Sequence, residues 1–268
     1  MKRLVHPTSI INAGISVDET GNIRFNWASD DSKDVMSLVS DTSGEFDADN
    51  VRFIYGYAFK PRTSSGVKKV VRDYLKGNTD SSVLYGDDLS EFVERAVIRL
   101  DERYPLDNFN VTVHVDSSTQ PSLVDVMREW LWEHLNNVNI DFELIKELYR
   151  HVKFDTQRAI EALRNSGKDD RTIKKEIEFT LGKFNKLKQS GQLFQMKRFV
   201  PKEIRAGFFD FLKFKTDEER DAYKALQGVN VLIFDDIMTS GSTVREVIRY
   251  LKAINDKNTL TVFVLIKQ

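Results

Sequence analysis

Apolar positions along the chain follow two spacings, and the switches between them mark out the elements. In the first sixty residues the two-residue period dominates. Ile15 and Val17, then Ile23, Phe25 and Trp27, alternate with other residues on either side of Gly21-Asn22, which predicts a hairpin. The stretch 28–50 is polar and acidic and reads as a solvated loop. Val51–Phe59 is rich in β-branched and aromatic residues and predicts a strand, closed by Lys60-Pro61-Arg62. The helical period then takes over. Val67, Val70, Val71, Tyr74 and Leu75 form one amphipathic face before Gly77, and Phe92, Val93, Ala96, Val97 and Leu100 form another behind a cap at Asp88 or Ser90. A short strand near 82–85 is expected between them.

From Phe109 onward strands and helices alternate. Val111, Val113 and Val115 predict a strand, and Asp116–Ser122 a loop. A helix follows with Pro121 in its first turn and Leu123, Met127, Trp130, Leu131 and Leu135 on one face. Another strand is expected at 138–144. Two helices are expected over 155–190, the second with Ile173, Ile177, Leu181, Phe184 and Leu187 on one side and lysines on the other. Residues 192–199 read as a strand. Thr216-Asp-Glu-Glu219 is a capping box that opens a short helix ending by Gly228. Val231–Phe234 is a continuous apolar run, the mark of a strand buried on both faces, and Asp235 and Asp236 stand where it would end. Thr239-Ser-Gly-Ser-Thr243 then leads into a helix carrying Val244, Val247, Ile248, Leu251 and Ile254. Thr259–Ile266 is a last buried strand. The order predicts an α/β fold with a mainly parallel sheet and helices on both faces. Residues 1–105 are expected to form an α+β cap over the C-terminal ends of the core strands. Residues 106–268 are expected to form the core, with a helical insertion at about 150–190.

The stretch 229–247 carries the chemistry. A helix start presents unpaired N–H groups and a partial positive charge, so it attracts phosphate. Gly241 allows close backbone approach, and the hydroxyls of Thr239, Ser240, Ser242 and Thr243 add donors. Two aspartates so near a phosphate make sense if the same ligand also offers hydroxyl donors or a divalent metal. A sugar 5-phosphate with a cis-diol meets both demands. The competing reading is a buried strand followed by an ordinary Ser/Thr-capped helix.

Val231-Leu-Ile-Phe-Asp-Asp-Ile-Met-Thr-Ser-Gly-Ser-Thr243 resembles the phosphoribosyl pyrophosphate (PRPP) motif of the type I phosphoribosyltransferases. That pattern is hydrophobic residues, two acids, two variable residues, then Thr/Ser-Thr/Ser-Gly-x-Thr/Ser, and every defining position is filled. The resemblance implies that Asp235 and Asp236 hold the ribose hydroxyls and, through water or ribose oxygens, Mg²⁺. It implies that residues 239–243 wrap the 5-phosphate. It also places a pyrophosphate loop after the first core strand, where Asp116, Ser117, Ser118 and Thr119 match in position and composition; an ordinary helix cap explains that stretch equally well. Lys197, Arg198, Lys202 and Arg205 are candidates to clamp the pyrophosphate, with a solvated basic face as the alternative for each. The family carries a flexible loop in place of 155–190, usually much shorter. Many members carry a hood beyond the last strand, whereas here the sequence stops two residues after Ile266, so an acceptor pocket is expected from the N-terminal part or the insertion.

Composition narrows the chemistry. The chain has no cysteine, which excludes disulfides, thiolate metal sites and a cysteine nucleophile. No apolar run approaches membrane-spanning length and Met1–Pro7 lacks the apolar core of a signal peptide, so no membrane association and a cytoplasmic setting are expected. The histidines His6, His114, His134 and His151 show no metal spacing and read as structural, and there is no nucleophile elbow. A formal charge of −1 conceals a basic middle: Arg164–Arg205 holds 12 Lys/Arg against 5 Asp/Glu, a local +7.

The expected function is therefore Mg²⁺-dependent transfer of the ribosyl 5-phosphate of PRPP to an acceptor, a nucleobase by first expectation, with release of pyrophosphate. Asp235 or Asp236 would also exchange the acceptor proton. A PRPP- or nucleotide-sensing module without transferase activity remains the alternative, as does association with a nucleic acid or a protein through residues 164–205. A homodimer is compatible with either.

Overall fold

The computed structural model describes residues 14–27, 35–37, 42–43, 51–60, 62–75, 87–116, 122–135, 140–196 and 200–268. The chain groups into two compact units. One comprises residues up to Asp141 with Gly228–Thr239 and Asn258–Gln268; the other comprises Phe142–Gln227 with Ser240–Lys257. The protein is α/β, and no helix among the described residues is long and apolar enough to cross a membrane.

The first unit is built on four parallel strands in the order β6 (Val111–Val115), β11 (Asn230–Met238), β12 (Thr259–Lys267) and β5 (Arg52–Phe59). Their apolar runs explain this centre: β12 is buried at every position from Leu260 to Ile266. Antiparallel strands extend the sheet beyond β5. β3 (Val35–Ser37) and β4 (Thr42–Ser43) pair with β5, β1 (Gly14–Val17) pairs with β3, and β2 (Ile23–Asn26) pairs with β1. The β1–β2 hairpin forms as the alternation predicts, and its turn is tied by the Asp18 carboxylate, which accepts the N–H groups of Thr20 (3.0 Å) and Asn22 (2.9 Å).

Helices α1 (Ser65–Leu75), α2 (Asp87–Arg103) and α3 (Leu123–His134) bury their predicted faces in one core. Val71, Leu75, Phe92, Val97, Met127 and Leu131 pack with Ile54, Leu232, Phe234, Phe263 and Leu265 of the sheet. Tyr57 stacks on Phe92 with centroids 3.8 Å apart and donates its hydroxyl to the Phe92 carbonyl at 2.8 Å.

The second unit is a helical and aromatic body around two small ribbons. β7 (Ile140–Lys146), whose first two residues belong to the first unit, pairs antiparallel with β10 (Leu212–Phe214), and β8 (Lys153–Phe154) pairs with β9 (Phe208–Phe209). The helical hairpin is α4 (Thr156–Asn165) and α5 (Asp170–Lys188), each started by an aspartate cap, Asp155 and Asp169. The Thr216 capping box opens α6 (Asp217–Ala225), and α7 (Ser242–Ile254) completes the unit. Phe184, Phe194 and Phe208 meet in its centre, with ring centroids between 5.1 and 6.3 Å.

Four expectations change. The polar stretch 28–50 contains β3 and β4, which both pair antiparallel with β5. The strand expected near 138–144 is present as β7, next to β6 in the sheet order as a core strand should be, while its other neighbour β10 runs antiparallel. Residues 192–199 make no described strand: Leu193 forms a single bridge to Leu148, Phe194 enters the aromatic core, and 197–199 lie outside the described residues. The N-terminal region read as a cap supplies β5 to the parallel sheet, paired with β12 from Arg52↔Thr261 to Ala58↔Lys267. The strand near 82–85 and the stop at Gly77 also lie outside the described residues, while Asp88 and Ser90 fall inside α2 instead of capping it.

Gly56 lets α2 approach β5: a Cβ there would stand 2.9 Å from the Leu265 carbonyl oxygen and 3.0 Å from the Ala96 Cβ. Gly56→Ala is therefore expected to lower unfolding free energy by about 1–3 kcal/mol. Gly182→Ala, on α5 with nothing within 4 Å, should raise it by about 0.5–1 kcal/mol. Urea denaturation of the two variants checks both signs.

Candidate functional site

β11 carries the two acids within the strand, not beyond it. It continues through Asp235 and Asp236 to Met238; its pairs with β12 run from Asn230↔Thr259 to Asp235↔Val264 and resume in the same register at Ile237↔Ile266 and Met238↔Lys267. On its other side the pairing with β6 stops at Phe234↔His114. The carboxylates stand just beyond that last pair with β6, and as neighbours on a strand they point to opposite faces of the sheet. Asp235 is half-buried and Asp236 is 8% exposed. The Asp236 N–H donates to Asp235 Oδ1 at 3.0 Å, and the Ile237 N–H to Asp236 Oδ1 at 2.5 Å, so each carboxylate leans forward along the chain.

Thr239 and Ser240 follow, then Gly241 at φ 67°, ψ 7°. This left-handed conformation is disfavoured for a β-branched residue, which accounts for glycine at the turn. Arg245 N–H bonds the Gly241 carbonyl at 2.8 Å to close the first turn of α7. No side chain caps α7, whereas Ser122, Asp155, Asp169 and Thr216 cap α3, α4, α5 and α6. The Ser240 and Ser242 hydroxyls lie 2.8 Å apart and bond each other. Unlike those four helices, α7 therefore starts without a side-chain cap, which leaves its first N–H groups to an external partner such as an anion or water.

No family model and no curated protein matches this chain.

The other expected site residues divide. Asp116 lies half-buried just after β6, while Ser117, Ser118 and Thr119 are outside the described residues, as is Pro121. Ser122 forms a full capping box with Asp125 and starts α3. Lys197 and Arg198 are likewise outside the described residues. Lys202 is exposed at the head of the 3-10 turn Lys202–Gly207. Arg205, from the same turn, lines a small cavity in the second unit together with Arg158, Ser242, Arg245 and Arg249. Sequence reasoning did not reach Arg158, Arg245 or Arg249. The available signal was the spacing Ser242, Arg245, Arg249, which puts three polar groups on one face of α7.

A second polar cluster lies in the first unit. The Thr112 hydroxyl donates to Asp141 Oδ1 at 2.6 Å, Arg128 Nε lies 2.7 Å from Asp141 Oδ2, and His114 Nδ1 is 3.3 Å from Oδ1. His114 is buried and stacks on Phe234, ring centroids 5.1 Å apart. His134 Nδ1 meets the Trp130 carbonyl at 2.8 Å and His151 Nδ1 meets Glu147 at 2.7 Å. No group of three or more His, Asp or Glu side chains that could hold a metal occurs among the described residues.

Burial pushes the Asp141 carboxyl up, but His114 close beside it, the Thr112 hydrogen bond and the Arg128 guanidinium outweigh it and leave it below its ordinary value. A depressed carboxyl stabilises the fold above its unfolded pKa, about 3.9, and that contribution is lost as pH falls through the folded value. Asp141→Asn should therefore lower the urea midpoint most at pH 5–7, with the gap to wild type narrowing below about pH 4. An equal gap at pH 7 and pH 3 would show that the charge of Asp141 contributes nothing.

Proposed function

We propose that this protein is a phosphoribosyltransferase of the type I kind, moving the ribosyl 5-phosphate of PRPP to a small-molecule acceptor with release of pyrophosphate. One observation carries the reading. β11 carries Asp235 and Asp236 just beyond its last pair with β6, and five residues after Asp236 a left-handed glycine opens a helix that has no side-chain cap. Carboxylates for a diol and bare N–H groups for a phosphate follow one another in the order that a ribose 5-phosphate presents them. The parallel centre β6-β11-β12-β5 is compatible with this fold family, and α4–α5 would stand where the family has a short mobile loop.

In this reading the Asp235 and Asp236 carboxylates accept the ribose hydroxyls, and Thr239–Thr243 donates to the 5-phosphate. The bond from C1 to the pyrophosphate oxygen breaks, the bond from C1 to the acceptor forms, and one of the two aspartates accepts the acceptor proton. The carboxylates also steady the positive charge that develops at the ribosyl centre. Mg²⁺ takes one or two carboxylates and fills its remaining positions with substrate oxygens and water. Two adjacent carboxylates fit that use, with Asp235 and Asp236 holding the ion through water or ribose oxygens. When bound, the ion would neutralise the departing pyrophosphate.

Incubating the protein with Mg²⁺, PRPP and a panel of bases should release pyrophosphate with at least one acceptor. Asp235→Asn/Asp236→Asn should slow that release by more than about 100-fold while ribose 5-phosphate still binds. Wild type that binds PRPP but releases nothing with any acceptor would instead make the protein a sensor.

Gly241→Ala tests the loop. A Cβ at φ 67° costs about 1–2 kcal/mol of backbone strain, and the chain can relieve it only by moving the N–H groups off the phosphate. Calorimetry should show ribose 5-phosphate binding weakened at least tenfold, about 1.4 kcal/mol. Unchanged affinity in a folded variant would reduce the loop to a helix start.

A further inference from the structure

The cavity that takes Arg205 lies wholly within the second unit and encloses about 40 Å³. Arg158 reaches it from α4, Arg205 from the 3-10 turn, and Ser242, Arg245, Glu246 and Arg249 from one side of α7. A void of this size accepts about three waters or one tetrahedral oxyanion, and no nucleoside.

Its charges are unevenly matched. Arg249 is ion-paired: its Nε lies 2.7 Å from Glu246 Oε2, one terminal nitrogen 2.8 Å from Glu246 Oε1, and the same nitrogen bonds Asp210. Glu246, 3% exposed, also accepts the Phe211 N–H at 3.2 Å, so Arg249 and the backbone use both of its oxygens. Phe209 lies under Arg249 at 5.5 Å and helps fix that wall. Arg158 and Arg205 differ. Among the described residues neither has a carboxylate within ion-pair distance, and Arg205 spends only its Nε, on the Val200 carbonyl at 3.2 Å. Arg205 is half-buried, and burial disfavours its charged form, with Glu203 opposing. A guanidinium held partly out of water without a counter-ion is stabilised by an anion that it can grip with two N–H groups. The Ser242 hydroxyl supplies a further donor, at the positive end of α7.

We propose that this cavity binds a phosphoryl group, with Arg158 and Arg205 as its counter-charges and Ser242 as a hydrogen-bond donor. The site stands on these residues alone and does not require that PRPP be the ligand. If the reading above also holds, the arginines of α4 and of the 3-10 turn recognise a phosphate that the sequence motif assigned to backbone and hydroxyl groups only.

The test is calorimetric titration of the full chain with inorganic phosphate at low ionic strength. Arg158→Gln/Arg205→Gln should weaken phosphate binding at least tenfold, whereas Asp235→Asn/Asp236→Asn should leave it within twofold of wild type. Arg158→Gln alone, at an exposed position that cannot disturb the core, should weaken it at least threefold, and Arg158→Lys/Arg205→Lys should recover part of the loss. Phosphate affinity unchanged by the folded arginine variants, or no binding at millimolar phosphate, would overturn the inference. PRPP separates the two readings. Phosphate binding that needs the arginines in a protein blind to PRPP keeps the cavity site and removes the transferase. PRPP binding that needs Asp235, Asp236 and Gly241 but ignores the arginines does the reverse.

Discussion

The single register that β11 keeps with β12 is the constraint on which the candidate site depends. It holds β11 extended for nine residues, through two adjacent carboxylates, while β6 releases the other side after Phe234. The ladder with β12 fixes the backbone beyond the last β6 pair, and the alternation of a strand sends the two adjacent carboxylates to opposite faces of the sheet.

Much of this was legible because the strongest signals are local. Continuous apolar runs mark strands covered on both faces, and β11 and β12 appear where those runs lie. The Thr216 capping box and the helical faces of α1, α2 and α3 hold for the same reason: the residues that specify them lie within one turn or one face. The end of β11 was misplaced because charge inside a strand contradicts the apolar-run rule. What holds the strand there is β12, whose pairing partners lie some thirty residues further along and leave no mark in the local run. β3 and β4 escaped notice because they are two or three residues long and belong to the sheet through their backbone.

The second unit shows the opposite difficulty. Leu193 and Phe194 carry the composition of a strand, but Phe194 is drawn into contact with Phe184, Phe208 and Phe211, and that packing replaces a ladder. The basic balance of residues 164–205 was visible as a sum, yet the sum conceals different uses. Lys168 meets Glu176, Lys183 lies over the exposed Phe179 at 4.2 Å, and Arg205 turns inward to the cavity. Arg158, Arg205 and Arg245 are separated by tens of residues and share no pattern. Their convergence is a product of the fold and could not be read from spacing.

The sequence separation within the sheet has a consequence for biosynthesis. Arg52 pairs with Thr261, 209 residues further along, whereas the second unit draws most of its residues from the continuous span Phe142–Gln227. On the ribosome, β5 and β6 emerge long before the strands that separate them in the finished sheet. Until then β5 has only the short antiparallel strands β3 and β4 on one flank, and its other flank is an open edge of the kind that invites wrong partners. Closing so long a loop adds little equilibrium cost but delays the step that completes the first unit. Asp235 and Asp236 therefore acquire their setting only as that interval ends, when β12 slides in beside β11.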